Sequence, residues 1–154
     1  MTRLAFLSPA TGPFVSPLAR AVADGVTDVS HLGKLELRGA LDGLEPGPGE
    51  ELLRYAPSRA LLVSEGPVRQ LSSAGVRAYD MTAALAVFEF EGEDALRRLT
   101  DLEPARLPAV GAIARGTWAL VDARGGPRFR VFVPQELGHH VVEVVLDTLR
   151  GLGR

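Results

Sequence analysis

Residues 28–39 read DVSHLGKLELRG, and two readings of them compete. Asp28, Ser30 and His31 bring together an acid, a hydroxyl and an imidazole, the residue types of a nucleophilic relay. Leu35 and Leu37, however, alternate with Lys34, Glu36 and Arg38 in the period of two that a half-buried strand requires. Members of a catalytic triad converge from separate elements and are not usually neighbours in one strand. Asp and Ser also cap and turn a chain through short side-chain bonds to the backbone. The stretch therefore reads as the entry to a strand, with Asp28 and Ser30 shaping the turn and His31 left without a role.

The same frame returns 52 positions later. DVSHLGKLELRGALDGL pairs with DMTAALAVFEFEGEDALRRL, each with an Asp, one residue, a hydroxyl, an alternating strand, a Gly and then an Ala-Leu segment. PSRALLVSEGPVRQL similarly pairs with PRFRVFVPQELGHHV: a proline-led turn, a strand ending in valine, then a helix. A duplicated unit would account for both echoes. The expected fold is α+β, two similar sheet-and-helix halves in ferredoxin-like layers, neither of which buries its apolar face well alone.

Working outward, Pro9, Pro13 and Pro17 predict an irregular arm leading into a short helix near residues 17–24. Glycine and proline predict a loop between about residues 43 and 49. Residues 58–66 read as a strand, and residues 67–75 as a helix that starts at Pro67 and stops at Gly75. Residues 85–92 form a further strand, and 93–102 a helix with acids in its first turn. TWALVDA and RFRVFV flank RGGP as a hairpin, and a last helix runs from Pro134 to Gly151. One domain is expected over residues 1–154: arm and short helix over 1–25, a first half over 26–75, a second half over 76–154.

Composition narrows the function classes. With 46% hydrophobic and 23% charged residues, 154 residues can bury a substantial core. A net charge of −2 sets up no general field toward nucleic acid or anionic lipid. The chain has no cysteine, hence no disulfide or thiolate zinc site, and its first thirty residues lack the pattern of a signal peptide. Its apolar runs are too short to cross a bilayer. A soluble, cytoplasmic protein is expected, with no nucleic-acid or membrane partner.

Taken in order, DVSHLGKLELRG, YAPSRALLV, VRAYDMTAALAVFEFEGEDALRRL and ARGTWALVDARGGPRFRVFVPQELGHHVVEVVLDTL resemble the gamma (small) subunit family of heterotetrameric sarcosine oxidase. That family is itself similar to the folate-binding domain of the glycine cleavage T-protein, an aminomethyltransferase. The resemblance covers roughly residues 26–150. Asp80, Thr82, Gly92, Asp94, Ala95 and Leu99 match the family's D-x-[S/T] … G-x-D-A-x-x-x-L pattern, and Asp28 to His31 match its DVSH even more literally. The resemblance implies a T-protein-like fold and a catalytic acid just past Gly125-Gly126. Here Pro127, Arg128 and Phe129 follow, and the nearest acid, Asp122, precedes the turn. A general acid must lie within hydrogen-bond reach of its proton, so Asp122 on the other arm of the hairpin is no substitute.

The remaining constellations read as structure. Glu136, His140 and Glu143 share one helical face, but His139 and His140 point about 100° apart, and a metal cluster would bring ligands from a second element. DARGGP lacks the Lys-Ser/Thr that ends a phosphate loop. Trp118, Phe129 and Phe132 sit in strands as core or interface aromatics. No catalytic or metal-ligating residue is therefore assigned. The family resemblance implies a non-catalytic subunit or interaction module of an amine-oxidising complex in one-carbon metabolism, contacting larger oxidase subunits or forming a homo-oligomer, with no firmly bound cofactor. The alternative it implies is a folate-binding, aminomethyltransferase-like protein that takes tetrahydrofolate.

Overall fold

A computed structural model describes residues 14–153, so the arm expected over the first thirteen residues lies outside the description. The helix expected near residues 17–24 is a single turn, closed by Ala21 and Val22 amides on the Leu18 carbonyl. Gly25, at a φ of 96°, turns the chain away before a second turn can form, and one turn alone does not repay helix nucleation. Leu18 is nonetheless fully buried and ties this segment down.

Nine strands and two helices follow. β1 (Val26–Asp28), β2 (Gly33–Gly39), β3 (Glu50–Ala56), β4 (Arg59–Ser64) and β5 (Val76–Asp80) precede β6 (Leu85–Glu91) and α1 (Glu93–Leu99). β7 (Ala109–Ile113), β8 (Thr117–Ala123), β9 (Arg128–Pro134) and α2 (Gln135–Gly151) complete the chain. The strands at 85–91, 117–123 and 128–134 and the last helix fall where periodicity places them, while the helix expected over 93–102 stops at Leu99, where Thr100 turns extended and bridges to Ile113. β3, β5 and β7 carry weaker signals. In β3 Leu52 and Leu53 are adjacent and face opposite sides of the sheet, which breaks the period of two; β5 is an almost wholly exposed edge.

The strands form two antiparallel sheets, ordered β1-β6-β9-β8-β7 and β3-β4-β2-β5. One face of the five-stranded sheet packs on both helices around Phe88, Phe90, Val121, Val131 and Val145. Its other face meets the four-stranded sheet through Val87, Leu120 and Phe132 against Leu53, Leu61 and Val63. The outer face of the four-stranded sheet, Leu35, Leu37, Ala60 and Leu62, is covered by loops carrying Leu41, Leu44, Val68 and Leu71. The layers are therefore helices, sheet, sheet and loops.

The helix expected over residues 67–75 does not form: the segment is an irregular cover for that outer face. Ser72 and Ser73 offer the backbone competing local bonds, and Val68 and Leu71 reach the sheet without a helix. Both helices thus belong to one sheet, and the first half is not a ferredoxin-like layer. The strands of the two units do correspond: β1-β6-β9-β8 in one sheet matches β5-β2-β4-β3 in the other, position by position. The short strand before each D-x-[S/T] pairs into the opposite unit, β1 with β6 and β5 with β2, so a boundary after residue 75 does not separate the sheets. Gly39 and Gly92 end the equivalent strands at φ 125° and 126°, a region that L side chains rarely adopt. Their amides donate to equivalent hairpin carbonyls, Ser58 and Pro127, at 2.9 Å each.

Candidate functional site

Asp28 and Ser30 are occupied by the fold. The Asp28 carboxylate accepts the Ser30 amide at 2.9 Å, while the Ser30 hydroxyl accepts the Val87 amide at 3.0 Å and donates to the Val87 carbonyl. The second copy does the reciprocal thing: Asp80 accepts the Thr82 amide at 2.9 Å, and the Thr82 hydroxyl accepts the Lys34 amide at 3.1 Å. Each Asx turn therefore caps the strand of the other unit. His31 is exposed and makes no side-chain hydrogen bond among the described residues.

Lys34, the chain's single lysine, sits at the meeting of the two turns and is fully buried. Its Nζ donates to the Ser30 carbonyl at 2.7 Å. Burial pulls its pKa from 10.5 down to about 8, against the opposing pull of the Asp28 and Asp80 charges. The half-buried alternation expected for β2 is thus corrected, since Lys34 and Glu36 face the other sheet and are buried as deeply as the leucines.

The inter-sheet layer is apolar in its middle and charged at both ends. At one end Arg130 donates to Glu89 at 2.8 Å and to Glu51 at 3.2 Å, and Arg124 also pairs with Glu51. Glu51 comes from the four-stranded sheet and both arginines from the five-stranded one, so this end is bridged by ion pairs between sheets, beside a smaller cleft of about 240 Å³. Asp122 is buried behind them with Oδ2 lacking a hydrogen-bond partner. Burial, then the Glu51 charge, push its carboxyl above the usual aspartate range despite Arg124 and Arg130. It is a buried member of a charge cluster, with Arg124 Nη1 3.6 Å from Oδ2.

The other end is an open cleft of about 310 Å³. Leu61, Leu85, Leu120 and Phe132 line its floor, and Val110 and Trp118 stand at its rim. Its polar wall centres on Glu36, which accepts Arg38 at 2.9 and 3.1 Å, Arg59 at 2.6 Å and Tyr55 at 3.1 Å. Burial alone would raise the Glu36 carboxyl, but these three donors outweigh it and hold it below the ordinary range. Arg38 and Arg59 stack on Tyr79 and Tyr55, 5.0 and 5.8 Å from the ring centroids. Sequence reasoning missed this wall, because charges alternating with leucines in a strand read as a solvated face and only stacking of a second sheet buries them.

The other singled-out residues stay apart from the cleft. His139 pairs with Glu143 at 3.2 Å on the exposed face of α2, beside an equally exposed His140. No group of three or more His, Cys, Asp or Glu is arranged to hold a metal among the described residues. Phe129 and Phe132 are buried, whereas Trp118 is 67% exposed. Among the described residues no helix is long and apolar enough to cross a membrane.

No family model matches the chain. No curated protein matches it in sequence. Among solved structures it is similar to a chain of the heterotetrameric sarcosine oxidase from Corynebacterium sp. U-96 in complex with pyrrole 2-carboxylate. The TM-score is 0.71 at 17% identity, over 92% of this chain and 97% of that one. The likeness is one of fold.

Proposed function

We propose that the chain is a small, non-catalytic subunit of an amine-oxidising assembly of the sarcosine oxidase kind, acting in one-carbon metabolism through larger partner chains. The likeness to nearly the full length of a chain from a heterotetrameric oxidase carries this reading. The chemistry on the page agrees with it: Asp28 and Ser30 are spent on backbone bonds, and Asp122 is buried in ion pairs. The subunit contributes a docking surface, and the oxidation and any tetrahydrofolate chemistry belong to its partners.

Co-production with the larger oxidase chains of the same organism tests this, with size-exclusion chromatography and light scattering as the readout. A stoichiometric complex is expected; a chain that elutes alone, with the oxidase fully assembled without it, would refute the proposal. Calorimetric titration of the isolated chain with tetrahydrofolate separates the aminomethyltransferase-like alternative, for which saturable heat is required.

A further inference from the structure

We infer that the open end of the inter-sheet cleft receives a polypeptide segment of a partner chain, which sets an Asp or Glu carboxylate against Arg38 and Arg59 and an apolar side chain against Trp118. This rests on the subunit reading above and names the surface that serves it.

The molecule itself shows what completes such a site. Glu36 and Glu89 are equivalent residues, each three positions before the glycine that ends its strand, and each held by a guanidinium from the neighbouring strand. At the Glu89 end the opposite sheet sends in Glu51, whose carboxylate reaches both Arg124 and Arg130. At the Glu36 end no such acid arrives. Across the gap from Arg38 and Arg59 stand Val110, Trp118 and Leu120, and Glu36 is the only acid lining the cleft among the described residues.

The open end is left with unbalanced positive charge. Arg38 and Arg59 share one carboxylate, and Arg77, directly opposite Arg38 in β5, has no ion pair among the described residues. The side chains of Arg38 and Arg59 remain 49% and 46% exposed. Glu36 takes Nε and Nη2 of Arg38 and Nη2 of Arg59, so Nη1 of each guanidinium is left to donate elsewhere. An incoming carboxylate would repeat what Glu51 does at the far end.

A polypeptide fits better than a small ligand. Ligand pockets keep their aromatic groups within the walls, whereas here the largest apolar groups, Trp118 at 67% and Val110 at 42% exposure, project at the rim. Exposed tryptophan beside arginine is the residue pairing that anchors protein interfaces. The chain's own first thirteen residues contain no Asp or Glu and cannot supply the carboxylate.

The test uses the full chain co-produced with the larger oxidase chains. Trp118→Ser and Arg59→Glu are compared with wild type and with Glu143→Gln on the exposed face of α2. Circular dichroism confirms folding, and Trp118→Ser keeps the test valid should Arg59→Glu unfold. Expected are a loss of roughly tenfold or more in assembly affinity for the two cleft variants, no change for Glu143→Gln, and slower amide exchange over residues 109–120 in the complex than in the chain alone. Assembly of wild type with undiminished assembly of Trp118→Ser would overturn this inference and leave the subunit reading standing. No assembly of wild type would overturn both. Self-association abolished by Trp118→Ser would put a second copy in the cleft and overturn it as well, and so would assembly that adds no protection to residues 109–120.

Discussion

Lys34 shows how far a single side chain can depart from its local pattern. In sequence it is one of three charged residues alternating with leucines; in the fold it is a buried ammonium between two aspartate turns. Its folded pKa, about 8, lies below the ordinary 10.5 of an unfolded lysine. Below pH 8 both states carry the proton and the folded state bears the desolvation cost. Between pH 8 and 10.5 the unfolded state binds more protons, so stability rises with pH. Urea denaturation at pH 7.5 and 10 should show a gain of up to about 3 kcal/mol in wild type that Lys34→Met lacks. The only hint in the sequence is that a lone lysine sits between two Asp-x-[Ser/Thr] turns.

At the scale of elements, the repeated D-x-[S/T] frame is the feature most fully legible in the sequence. Both copies form the expected turn, and the strands after them are equivalent in sheet order. The exchange was not legible: that β1 and β5 cross into the opposite unit depends on residues 37 to 64 positions away, and strand pairing of that range leaves no local trace. The helix expected over 67–75 failed for a related reason, because an irregular segment covers the leucines of β2 and β4 equally well. The two clasps differ in burial, and that difference predicts unequal energetics. Ser30→Ala removes a buried donor and acceptor from Val87 and should cost about 2 kcal/mol. Thr82→Ala, at a partly exposed edge, should cost about 1 kcal/mol or less by the same measurement of chemical denaturation.

For the whole molecule, the decisive contrast is between the two ends of the inter-sheet layer. One is bridged by Glu51 on two arginines, and the other presents two arginines and a tryptophan to solvent with no acid from the opposite sheet. The bridged end carries a cost in Asp122, whose charge is buried near Glu51 with one oxygen lacking a hydrogen bond. Because its folded pKa is raised, the ionised form is penalised at neutral pH and the penalty disappears as pH falls below the ordinary aspartate value. Asp122→Asn should therefore raise stability at pH 7, and the gain should vanish by pH 3, as followed by thermal melts across that range. A gain that persists at pH 3 would trace the effect to packing.

Local chemistry determined the repeat frame, the strands with a clean period of two, the existence of the helices that follow Gly92 and Pro134, and the structural use of Asp28 and Ser30. These follow from side-chain periodicity and from hydrogen bonds that span two residues, both written in adjacent positions. The exchange of β1 and β5, the burial of Lys34 and Glu36, and the division into a bridged and an open end were decided only when two sheets stacked face to face. Stacking sets which face of a charged strand meets water and which distant carboxylate reaches which guanidinium, and neither is a property of any one segment.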